Sequence, residues 1–152
     1  EASGVKVWRR DLGEFAEKGC FVAPTIMEIG SILDLKRENF GPVLHIVRFK
    51  AKDLLRVIED INATGYGLTL GLHSRIEATH RLVAANARVG NFYINRNQIG
   101  AIVESQPFGG EGLSGTGPKA GGPHYLARFA TERVTCVDTT AAGGNASLLA
   151  SL

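Results

Sequence analysis

Long apolar runs are missing from this sequence of 152 residues, and none approaches the ~20 residues that a membrane-crossing helix requires. Cysteine is scarce: Cys20 and Cys136 are the only two, and they lie far apart. Such a pair argues against an extracellular disulfide framework and favours a reduced, cytoplasmic setting. An excess of one charge is lacking too, with 17 Lys and Arg against 15 Asp and Glu, a net of +2. The basic residues are dispersed, so no stripe suits a nucleic-acid backbone. His45, His73, His80 and His124 have no metal-ligand spacing, and no metal is expected. The triplets Asn62-Ala63-Thr64 and Asn145-Ala146-Ser147 fit the glycosylation pattern, but chance matches are common and neither carries weight.

Glycine is the residue in surplus. It makes up 19 of 152 positions, about 12% against roughly 7% in average proteins. Eight of the 19 fall between Gly100 and Gly122. A local surplus marks a backbone that turns sharply or lies close to something. Hydrophobic residues at 44% and charged residues at 21% otherwise describe a globular chain.

Residues 1–30 read as irregular or short strands. Val5 to Trp8 alternates, and Cys20-Phe21-Val22 leads into Pro24. The apolar residues here have no self-contained pattern and ask for something to pack against. From Val43 to Phe49 a β-branched and aromatic run fits a mostly buried strand. Leu54, Leu55, Ile58 and Ile61 recur at helical spacing, with Gly65 as the stop. Leu68–His73 is the next strand. Ser74 followed by Glu77 reads as a capping box, opening a helix to about Val89 that Gly90 closes. Asn91–Asn95 is a further strand. The order strand, helix, strand, helix, strand predicts parallel strands joined by crossovers. Three strands and two helices make a thin sheet, which points to a larger one. A short helix near His124–Ala130 and an alternating stretch, Arg133–Val137, complete the chain. A terminal strand without an obvious partner suits pairing with another subunit.

Gly110-Glu111-Gly112-Leu113-Ser114-Gly115 matches G-x-G-x-x-G, but the dinucleotide fingerprint needs a strand before it and a helix after it. Pro107 precedes it, and Pro118 and Pro123 follow. The loop is therefore a weak candidate for binding a nucleotide by itself.

A stronger signal is a set of phrases in order. These are Gly19-Cys20-Phe21-Val22-Ala23-Pro24-Thr25, then Glu38-Asn39-Phe40-Gly41-Pro42-Val43, then Asn91-Phe92-Tyr93-Ile94-Asn95, then Pro107-Phe108-Gly109-Gly110 leading to Ser114-Gly115. Together they closely resemble the C-terminal part of the aldehyde dehydrogenase superfamily, over nearly the whole chain. The stretch Asn95–Tyr125, with Ile99-Gly100-Ala101-Ile102-Val103 inside it, looks like the L-glutamate-γ-semialdehyde (1-pyrroline-5-carboxylate) dehydrogenases. Gln106–Lys119 and Thr140–Leu148 are similar to the bifunctional proline utilization A proteins. Only twenty residues separate Lys119 from Thr140, which suits the short form of those proteins.

The resemblance implies a fold class of α/β. Residues 1–130 would be part of the aldehyde dehydrogenase catalytic domain, with parallel strand–helix–strand units. Residues 131–152 would be a C-terminal β tail for oligomerisation. It also implies NAD as cofactor, with FAD only in a separate proline dehydrogenase domain. Glu38 would accept from the nicotinamide ribose and Phe40 would lie beside the nicotinamide. The N–H groups of Gly100 and Ala101 would hold the substrate α-carboxylate, and Phe108 would pack on its aliphatic chain. Each of these residues also has a plainer reading, as a solvated acid, a turn or a core aromatic.

The family's nucleophilic cysteine and general-base glutamate belong much further upstream of Glu38 than the 37 residues that precede it. Cys20 and Cys136 stand in other phrases, so no catalytic residue is assigned in this chain. The expectation is the C-terminal portion of an NAD-dependent enzyme oxidising L-glutamate γ-semialdehyde, inactive as an isolated chain and a homo-oligomer when whole. The rival expectation is a non-catalytic module of the same family, serving oligomerisation or lidding of a channel. Nucleotide binding by the Gly110–Gly115 loop alone is the third.

Overall fold

The structure is a computed structural model that describes residues 5–99, 102, 104–138 and 150. The first sheet joins β1 (Lys6–Arg9), β2 (Thr25–Ile29) and β3 (Val43–Val47) in that order. β1 runs antiparallel to β2, and β2 runs parallel to β3, with Thr25 opposite Val43 and Ile29 opposite Val47. Within residues 1–30, read as irregular or short strands, β2 begins at Thr25, just past Pro24. Proline has no N–H for a ladder, and the first residue after it is the first able to pair on both sides.

The connection from β2 to β3 carries no α-helix. It is a loop with one tight turn, Ile32–Asp34. Ser31 accepts from the Leu33 N–H through its hydroxyl and donates its own N–H to the Asp34 carboxylate. That reciprocal pair satisfies donors that a short turn would leave open.

Helix α1 (Leu54–Ala63) follows, burying Ile58 and exposing Leu55. Gly65 ends it at φ +78, a left-handed conformation that glycine adopts at no steric cost. β4 (Tyr66–Gly67) and β5 (Thr69–Leu72) come next, then α2 (Glu77–Asn86) and β6 (Asn91–Ile94). β5 and β6 are parallel, Thr69 opposite Asn91 and Leu72 opposite Ile94. β7 (Glu111–Gly112) returns antiparallel to β4. The extended run 65–72 therefore lies beside β6 at one end and the glycine-rich segment at 111–114 at the other.

The order of elements matches the sequence reading, but the pairing does not. β3 joins β1 and β2 rather than β5 and β6, so the alternation divides between two sheets. β3 takes the edge of β2 that β1 leaves open, while β5 pairs with β6 alone. The capping box at Ser74 and Glu77 does not form either. The Ser74 hydroxyl accepts from the Ile76 N–H, and Glu77 pairs with Arg81 one turn on. α2 ends at Asn86 rather than at about Val89. The expected helix near His124–Ala130 is a single tight turn, Leu126–Phe129. Residues 131–138, expected to hold a tail strand, are exposed and form no strand among the described residues. A lone strand has no ladder to join. The rest of the expected tail, 139–152, lies outside the described residues apart from Ala150.

Very little is buried. Among the described residues the buried apolar side chains are Ala23, Ile58, Val83 and Tyr93, and Thr25 is buried too. The chain exposes 12420 Å² of surface. A folded monomer of this mass is expected to expose about 7,500 Å². Trp8, Ile26 and Leu44 sit opposite one another across β1, β2 and β3, and all three are exposed.

Candidate cofactor and substrate surface

Glu38 and Phe40 lie on the loop between the Ile32–Asp34 turn and β3. The far end of that loop is fixed: Val43 donates to Gly41 O at 2.8 Å, and Thr25 donates to Pro42 O at 2.9 Å. Glu38 stands at the rim of a cleft of about 650 Å³, which Ile61, Thr64, Tyr66, Gly67, Arg88 and Ser114 also line. Among the described residues its carboxylate has no ion pair. Phe40 is 95% exposed, an aromatic face with nothing laid against it. A free carboxylate acceptor two residues from a free aromatic ring suits a sugar diol and a flat heterocycle. In chemical type these residues fit the nicotinamide riboside end of NAD.

Phe108 is half-buried and belongs to a different place. It exchanges two backbone hydrogen bonds with Ala120, at 3.0 and 2.8 Å. It does not line the cleft that holds Glu38. Gly100 and Ala101 lie outside the described residues.

The glycine surplus has a clear cause in the same region. A Cβ on Gly90 would overlap the carbonyl oxygen of Gly109, and one on Gly110 would meet Ser114 O at 2.5 Å. A Cβ on Gly67 would lie 2.5 Å from Arg88 O, and one on Gly115 would strike Gly110 O. Backbone here touches backbone, and the glycines are spent on the chain's own packing. In line with the sequence reading, no strand leads into the Gly110–Gly115 phrase; β7 lies inside it. Its Ser114 hydroxyl accepts from the Gly67 N–H at 3.1 Å.

Three asparagines that the sequence reading did not single out for this role organise the region. Asn62 ties α1 to the end of α2: its amide donates to Asn86 O, and its oxygen accepts from the Arg88 N–H, both at 2.8 Å. Asn95 sits just past β6 at φ +54 and exchanges two hydrogen bonds of 2.9 Å with the backbone of Ser74. Asn91, at the start of β6, donates to Pro107 O at 3.0 Å and accepts from the Gly109 N–H at 3.1 Å. The available signal was the pair of asparagines bounding an apolar strand. Their amides can stand in for a missing backbone partner.

Cys20 and Cys136 are free and exposed. Among the described residues, no group of His, Cys, Asp and Glu could hold a metal ion, and no helix is long and apolar enough to cross a membrane.

Comparison with known proteins gives this arrangement a setting. The aldehyde dehydrogenase family matches residues 4–135. The bifunctional protein PutA of Rhizobium meliloti is 56% identical over 128 residues, covering 84% of this chain and 10% of its own length. A solved structure of a mutant of Bradyrhizobium japonicum proline utilization A is 59% identical with a TM-score of 0.75, covering 83% of this chain and 13% of that one. The structure of a 1-pyrroline-5-carboxylate dehydrogenase from Thermus with bound NAD is 41% identical with a TM-score of 0.64, covering 72% of this chain and 21% of that one. The chain thus spans about a tenth of the length of the PutA relative it matches. With most of its residues matched and with proline utilization A and 1-pyrroline-5-carboxylate dehydrogenases among its relatives, the chain belongs to the aldehyde dehydrogenase family.

Proposed function

We propose that this chain is part of an NAD-dependent dehydrogenase that oxidises L-glutamate γ-semialdehyde to L-glutamate in proline catabolism. The observation that carries the reading is the 56% identity to a bifunctional PutA over 128 residues. Bound NAD would supply the hydride acceptor. The chain's own residues bind and orient. Glu38 would accept from the ribose hydroxyls, and Phe40 would hold the nicotinamide face. Among the described residues both are free of competing partners, which supports that use. Gly100 and Ala101 would donate N–H groups to the substrate α-carboxylate, and Phe108 would lie along its methylene chain. Carboxylate capture by adjacent amides and apolar packing on methylenes use the substrate's two ends differently, which suits a short amino-acid aldehyde. FAD would belong to a separate proline dehydrogenase domain. Residues 131–152 would serve a homo-oligomer, a role their exposed residues 131–138 support.

The 152-residue chain by itself would be inactive, because no nucleophile is assigned in it. The experiment compares the isolated chain with a longer protein that carries it, each supplied with NAD and the semialdehyde. NADH formed only by the longer protein is the expected result. NADH formed by the isolated chain would overturn its inactivity, and none formed by the longer protein would overturn the substrate.

A further inference from the structure

Phe108 owes its place to no regular element. It forms one isolated bridge with Ala120, and Pro107 on its N-terminal side can donate no backbone hydrogen bond. Beyond that bridge, side chains fix the segment. The Asn91 amide donates to Pro107 O at 3.0 Å and accepts from the Gly109 N–H at 3.1 Å, gripping the backbone on both sides of Phe108. The Lys119 ammonium donates to Gly109 O at 2.9 Å. Asn91 is itself held, since its backbone N–H donates to Leu68 O at 3.1 Å and it begins the ladder of β6 with β5. Gly90, the residue before it, has no side chain to keep Gly109 away.

We propose that Asn91 is a positioning residue for the substrate pocket: its amide clamps residues 107 and 109 to β6 and so sets where Phe108 meets the substrate's aliphatic chain. This rests on the reading of Phe108 given above and deepens it. The grip needs one donor and one acceptor at the end of a short side chain, and an amide supplies both. Aspartate keeps the acceptor for Gly109 but turns a second oxygen toward Pro107 O. Alanine leaves both backbone groups unpaired in a half-buried setting, where each lost bond has a real cost.

The test uses the complete semialdehyde dehydrogenase that carries this segment. Asn91→Ala is expected to raise KM for the semialdehyde about tenfold, with kcat and the KM for NAD within about twofold, because the loss acts on substrate binding in ground and transition states alike. Asn91→Asp, which keeps one of the two bonds, is expected to fall between. Phe108→Leu supplies the decisive cycle: in that background Asn91→Ala is expected to add little, because both changes act through one contact. A loss that simply adds to that of Phe108→Leu would overturn the inference, as would an equal rise in the KM for NAD. If Asn91→Ala does not fold, Asn91→Asp decides by the same cycle. An unsubstituted enzyme that fails to turn over the semialdehyde would overturn the functional reading and this inference with it. A competent enzyme indifferent to Asn91→Asp and Asn91→Ala would overturn this inference alone.

Discussion

Asn95 offers a sharp test of the local physics. It stands just past β6 in a left-handed conformation, φ +54, and its side chain meets the Ser74 backbone through two hydrogen bonds of 2.9 Å. Replacement by glycine keeps the conformation and loses both bonds. Because the site is exposed, water takes up much of the slack, so the two bonds together are worth about 1 kcal/mol, at the low end of the usual range. Extra chain freedom in the unfolded state adds about 0.5 kcal/mol to the glycine variant's cost. Replacement by alanine loses the same bonds and keeps a Cβ in the left-handed region, which asparagine tolerates and alanine does not, at about 1–2 kcal/mol. The expected order of stability is wild type, then Asn95→Gly down by about 1.5 kcal/mol, then Asn95→Ala down by about 2.5 kcal/mol. The assay is the hydrogen-exchange protection factor of the residue-95 amide, whose partner, Leu72 O at 2.8 Å, is the same in all three proteins. At about 1.4 kcal/mol per tenfold, protection should fall roughly tenfold for glycine and roughly fiftyfold for alanine where local opening governs exchange. An alanine variant as well protected as the glycine variant would refute the conformational argument. A glycine variant as well protected as wild type would refute the argument from the two bonds.

Two further substitutions test other parts of the fold. Gly90→Ala should cost more than the ~1–3 kcal/mol of ordinary overpacking, because the atoms in the way are the backbone of Gly109 and Gly110 rather than a flexible side chain. Gly41→Ala, with nothing within 4 Å, is its stability control, and equal melting temperatures for the two would count against the contact. Asn62→Ala should loosen the junction of α1 and α2 by about 1–2 kcal/mol in chemical denaturation, and Asn62→Asp by about half that, since the aspartate still accepts from the Arg88 N–H. An aspartate variant no better than alanine would show that the donor to Asn86 O carries the whole effect.

The elements β3, α1, β5, α2 and β6 were legible because their signals are local. The Val43–Phe49 run, the spacing of Ile58 and Ile61 and the apolar Asn91–Ile94 segment each declare a conformation within a few residues. The pairing of β3 with β2 was not legible. It depends on which free edge the chain meets, and nothing in Val43–Val47 distinguishes β2 from β5. The two-residue strands β4 and β7 lie more than forty positions apart and are too short to leave a pattern. At the site, Glu38, Phe40 and Phe108 came from motif order alone. Asn91 was passed over as part of a strand phrase, because its partners Pro107 and Gly109 come near only when the chain has folded. Ser114 sat inside a phrase that imitates a nucleotide loop, while its hydroxyl serves Gly67.

The backbone-to-backbone contacts at Gly67, Gly90, Gly110 and Gly115 bear on how genetic variation in this segment will read. In a saturation scan scored by growth, these four positions would reject nearly every replacement, as reacting groups do, and invite interpretation as a phosphate loop. The lesion would be of another kind. Cells carrying such alleles would hold less of the protein, while each surviving molecule turned over normally. Scoring abundance beside growth would therefore separate the glycines, where the two fall together, from Glu38 or Phe40, where growth should fall and abundance should not.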